Sequence, residues 1–122
     1  MPTNVKVIPA RDFIRAQPDG QAFLDKAEEL LAQIAQAGTG LDDFAVLVDT
    51  RKVSGSLSAT DLWRLAETLL KFRRTFERRT AVLCPEEKFD RTQFFALCAE
   101  NQGFNLRAFT SYEEAMEWLI AD

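Results

Sequence analysis

The chain of 122 residues contains no histidine, two cysteines and one tyrosine. Without histidine it lacks the commonest general base and the commonest transition-metal ligand. Two cysteines do not make a disulfide scaffold. Cys84 closes an apolar strand and Cys98 falls inside a helical pattern, so reduced, buried thiols are expected rather than a bridge. Basic charge is also in short supply. Fifteen Lys and Arg stand against 19 Asp and Glu, a net charge of −4, which argues against a nucleic-acid binder. No apolar run approaches the ~18 residues that span a bilayer. The opening MPTNVKVIPARDF has no charged-then-apolar leader pattern. A soluble, cytoplasmic protein without membrane insertion is expected.

What is present is globular. Hydrophobic residues make up 47% of the chain and charged residues 28%, and ten Phe can fill much of a core. At this length one domain is expected. No repeat, linker or low-complexity segment breaks the chain.

Strand-like and helix-like patterns alternate from end to end. Val5–Ile8 and Asp12–Ala16 read as short β pieces broken by Pro9, an edge strand or interrupted hairpin. Pro18-Asp19-Gly20 reads as a turn. A helix is predicted over Gln21–Ala37, with Phe23, Leu24, Ala27, Leu30, Leu31 and Ile34 on one face. Phe44–Val48 is a continuous apolar run, hence a central strand.

The next helix is predicted from Ser58 to Phe76, about 28 Å at ~1.5 Å per residue. Ser58 is its N-cap, with Asp61 three residues on. Its stripe is Leu62, Leu65, Leu69, Phe72 and Phe76, widened by Trp63, Ala66 and Leu70. Thr80–Cys84 is a second buried strand, ended by Pro85. A third helix is predicted from Asp90, capped with Gln93, stapled by Phe89 and Phe94, and packed through Phe94, Phe95, Leu97 and Cys98. Leu106–Phe109 is the last strand. Ser111 and Glu114 form a capping box for the last helix.

Such alternation implies an α/β domain with a mostly parallel sheet of four or five strands and about four helices. The strand ends at Asp49, Cys84 and Phe109 then share one rim, where sites gather in open α/β sheets.

Few residues at that rim can carry chemistry. Asp49 ends its strand as a phosphoacceptor carboxylate would, but the acidic pair and lysine such a site needs are missing. Its plainer role is to accept hydrogen bonds from loop N–H groups or to pair with Arg51. In VSGSLSATD, Gly55 permits positive φ, and Ser56 and Ser58 approach a helix N-terminus where added negative charge is tolerated. Cys84 precedes Pro85 and the acids Glu86 and Glu87, which raise a thiol pKa. The segment KFRRTFERR sets Lys71, Arg73, Arg74, Arg78 and Arg79 against one acid, Glu77. It is either a favourable helix C-terminus or a docking patch for an acidic or phosphate-bearing partner.

The chain resembles the STAS (anti-sigma-factor-antagonist-like) domains of bacteria, in particular the divergent SpoIIAA-like group. The resemblance rests on AVLVDTRKV, RTAVLCPEEKFDRTQFF and GFNLRAFTSYEEAMEWL, and covers about residues 42–120. It implies a non-catalytic, partner-binding module with no cofactor. In the anti-sigma antagonists a serine at the start of the helix after the central strand is phosphorylated by a partner kinase. The matching region here is Ser54 to Thr60, with Ser56 or Ser58 the nearest candidate; the Asp-Ser-Ser-Gly of that group is not spelled here.

The expected function is a regulatory, protein-interaction domain with an unknown protein partner and a homodimer as a candidate state. The alternative is a binder of a small anionic or lipid-like ligand, which an apolar pocket between helices and sheet would favour. An enzyme using Asp49 or Cys84 ranks last, because a base is missing.

Overall fold

The computed structural model describes residues 3–8, 13–41 and 44–121. The elements are β1 (Thr3–Ile8), β2 (Phe13–Gln21), α1 (Leu24–Ala37), β3 (Ala45–Asp49), β4 (Lys52–Ser54), α2 (Ala59–Thr68), β5 (Thr80–Leu83), α3 (Phe89–Asn101), β6 (Leu106–Phe109) and α4 (Tyr112–Ile120). The main sheet runs β1-β2-β3-β5-β6. β1 is an antiparallel edge on β2, while β2, β3, β5 and β6 are parallel to one another. The expected α/β domain with a mostly parallel sheet is what forms. The Pro9 break and Asp12 lie outside the described residues.

Strand alternation divides the core in two. Ile14, Ala16, Val46, Val48, Val82 and Leu106 face α1, α2 and α3 in the larger cluster. Leu47, Ala81 and Leu83 face the other way, against Ala115 and Leu119 of α4. The β3 run AVLVD is apolar on both faces because both are covered. β2 differs: Ile14 and Ala16 are fully buried, while Arg15 and Gln17 point to the α4 side, where α4 packs mainly on β5, β3 and β6.

Several local expectations are corrected. Pro18-Asp19-Gly20 is not a turn but the second half of β2. There β2 ends its pairing with β3 at Ala16↔Val48 and begins pairing with β4 at Asp19↔Lys52. Pro18 sits between the two partners, where its missing N–H is not needed on that side. Gly20, at φ 81°, carries the chain through. α1 starts at Leu24, not Gln21, and Phe23 is left half exposed as its N-cap.

The helix expected to reach Phe76 ends at Thr68, with a 3₁₀ turn over Leu69–Phe72. A ten-residue α-helix spans about 15 Å, which matches a strand of four or five residues. A 28 Å helix would have outrun the sheet. Leu62, Leu65, Ala66, Leu69 and Phe76 are buried as the stripe requires, but Trp63 and Leu70 are exposed.

α3 begins at Phe89, straight out of a 3₁₀ turn over Glu86–Lys88. Asp90 therefore lies in the first helical turn instead of capping it. The buried positions of α3 are Phe95, Ala96 and Ala99, while Phe94 and Leu97 are exposed. Adjacent residues lie about 100° apart around a helix, and the buried face of α3 runs through Phe95, Ala96 and Ala99, which turns Phe94 outward.

Candidate functional site

The parallel register sets Asp49 beside Leu83 and Leu83 beside Phe109, so the three strand ends form one rim. Thr50 seals two of them: its N–H and its hydroxyl both donate to the Leu83 carbonyl, at 2.8 and 2.9 Å.

Asp49 lies on the α4 side of this rim and is fully buried. Its Oδ1 accepts from the Arg51 backbone N–H at 3.1 Å and from Arg51 Nε at 2.9 Å. Its Oδ2 accepts from Arg51 Nη2 at 2.8 Å and from Gln17 Nε2 at 3.3 Å. Arg15 Nη2 stands 3.9 Å away. Burial alone would raise the Asp49 pKa, but the Arg51 hydrogen bonds and the charges of Arg51 and Arg15 outweigh it and hold the carboxyl below its ordinary 3.8. Both oxygens are engaged, so Asp49 braces the turn and offers none to an incoming group. Arg15 and Gln17 could not be assigned to this cluster from sequence, because their strand pairing sets the contact.

The other side of the sheet holds a cavity of about 190 Å³. It runs from exposed Phe23, Ser56 and Arg91 at the rim down to Leu65, Leu69 and Phe76 in the core. Its outer wall is a strap made by β4 and residues 55–57, hung on the second half of β2. Gly55 has φ 74°, and a Cβ there would strike the Gln21 side-chain amide. The positive φ is what calls for glycine at that point, since the Gln21 amide is the end of a flexible side chain that can move aside.

Two cations fasten the strap to α3. Lys88 Nζ donates to the carbonyls of Val53 and Gly55 at 2.8 and 2.6 Å. Arg91 Nη1 donates to the Leu57 carbonyl at 2.6 Å. Neither residue stood out by motif. The available signal was their position: cations in the first turn of a helix oppose its dipole and need a compensating acceptor.

Ser58 caps α2, its Oγ accepting the Asp61 N–H at 3.1 Å. Ser56 is exposed at the cavity mouth. Ser56, Ser58 and Asp49 thus share a rim, with Asp49 and the cavity on opposite faces of the sheet. Cys84 and Cys98 are free thiols. Burial pushes the Cys84 thiol up; a hydrogen bond with Thr92 opposes it, and the weaker effects of Glu87, upward, and Lys88, downward, leave the shift upward. Such a thiol is a poor nucleophile.

The segment Lys71 to Arg79 lies before β5, at the opposite rim. Arg73 stacks on Phe104 and donates to the Gln102 carbonyl at 3.4 Å. Arg79 stacks on Trp118 and donates to the carbonyls of Trp118 and Ala121. Those two cations fasten different helices, on different faces of the sheet. Lys71, Arg74 and Arg78 are exposed on the same segment.

No protein-family model and no curated protein matches the chain. Among solved structures, it is similar to an uncharacterized protein of the DUF3478 family from Shewanella loihica PV-4, with a SpoIIAA-like fold. The two share 17% identity at a TM-score of 0.57, over 97% of this chain and 92% of that one. With the strand order and helix placement above, this likeness establishes the architecture: the chain has a divergent SpoIIAA/STAS-like fold.

Proposed function

We propose that this domain is a non-catalytic binding module whose working site is the apolar cavity between the sheet and helices α1, α2 and α3. The observation that carries the reading is the cavity itself, about 190 Å³ and lined by Leu, Val and Phe side chains. An apolar void of ~150 Å³ is enough to bind benzene. The absence of histidine and the raised thiol pKa of Cys84 support a binding role over a catalytic one.

Titration with benzene, followed by methyl NMR at Leu65, Val48 and Val82, tests the site. Shifts at those methyls are expected to saturate. Ala27 also lines the cavity, and A27L should fill part of it and weaken binding. Methyls that stay still at saturating benzene would sink the reading.

A second reading, a regulatory module that docks a protein partner or a second copy, draws on a separate observation. Trp63 is 50% exposed and Leu70 40% exposed, on the outward side of α2 and the turn that follows it. Ser56, exposed beside the start of α2, is the phosphorylation site this reading favours, since the Ser58 hydroxyl is already committed to its cap. Light scattering decides the homodimer: a strict monomer at tens of micromolar, unchanged by W63E, removes it. Mass spectrometry of protein from its native cells decides the phosphoserine.

A further inference from the structure

We infer that Lys88 and Arg91 make the cavity selective for single-chain amphiphiles with an anionic head, a carboxylate or phosphate monoester carried on a short apolar tail. This rests on the cavity being a ligand site.

Both residues line the cavity, and both are held in place by main-chain carbonyls of the strap. Carbonyls satisfy hydrogen-bonding capacity without neutralising charge. Among the described residues neither cation has a carboxylate within 4.0 Å, the ion pairs there being those of Asp49 with Arg15 and Arg51. The lining carries three cations, Lys26, Lys88 and Arg91, against one carboxylate, Asp19. This is a local excess of positive charge on a chain whose net charge is −4.

Donor valence points the same way. An ammonium has three N–H donors and a guanidinium five. Lys88 uses two and Arg91 one on the strap, which leaves donors for a ligand at the cavity mouth. With a neutral ligand the two cations at the mouth keep only the strap carbonyls and water as partners. An anionic head would match them with charge-assisted hydrogen bonds while its tail enters the apolar part.

The test is calorimetric titration of the full chain with octanoate, octyl phosphate, octanol and octylamine, at two salt concentrations. The expected result is that at least one acid binds ten-fold or more tightly than octanol, that octylamine binds no better than octanol, and that the preference shrinks with salt. K88Q/R91Q should bring the acids to the level of octanol, and K88R should retain the preference. If the double variant fails a circular-dichroism check of folding, the wild-type ratio of acid to alcohol and its salt dependence still decide. Equal affinity for acid and alcohol overturns the anion selectivity and leaves the cavity reading standing. No binding by any of the four overturns both.

Discussion

The Asp49 cluster gives the sharpest prediction. D49N keeps the shape but exchanges a carboxylate oxygen for an NH₂ that faces guanidinium donors. In the wild type Asp49 accepts four hydrogen bonds, three of them from Arg51. Hydrogen bonds to charged groups are worth about 1.5–3 kcal/mol each at full burial. That ceiling does not apply here, because the Arg51 and Arg15 side chains are 45% and 35% exposed and can rehydrate. A loss of about 2 kcal/mol is therefore expected, or a Tm lower by roughly 8 °C for a domain of this size.

The pH dependence follows from the lowered Asp49 pKa. A carboxyl held below its unfolded value contributes stability that is present above that value and lost as pH falls through the folded one. Urea denaturation of wild type and D49N should thus show a constant gap from pH 7 to about 5, narrowing below pH 4. A gap under 0.5 kcal/mol at pH 7, or one that stays unchanged down to pH 3, refutes the account of the brace.

Three further outcomes are expected. S58A removes the α2 cap and should cost about 1 kcal/mol in urea denaturation, with faster amide exchange in the first turn of α2. G55A should destabilise by about 1–2 kcal/mol from the positive φ, and Q21A in the same chain should recover only the part due to the side-chain clash. Burial raises both thiols, so disulfide-exchange labelling at pH 7 should be slow; Cys98, which is partly exposed, should react before Cys84, whose rate should track unfolding.

The parallel core was legible because β3 and β5 are short apolar runs and β6 a short mixed one, separated by amphipathic stretches. Their common rim followed from topology alone. Ser58 and Ser111 were legible as caps because capping is local, and both accept the N–H three residues on. Non-local choices were hidden. Whether Phe94 or Phe95 enters the core depends on how α3 is rotated against α2 and β6, which tertiary packing sets. Pro18 and Gly20 carry turn chemistry, and only the change of partner from β3 to β4 lets them stay in a strand. The strap and its two cations were the least visible part. Lys88 bonds carbonyls 35 and 33 residues away, a distance over which no periodicity speaks.

On one side β2 pairs with β1 over Phe13–Pro18, and on the other with β3 and then β4 in succession. The ribbon that anchors the sheet is therefore also the hinge-post of the cavity wall. Any body lodged behind that wall pushes on a post shared with β1, so filling should damp motion at the far edge of the sheet, many ångströms from the contact. A guest would be felt as stiffness travelling along a single ribbon.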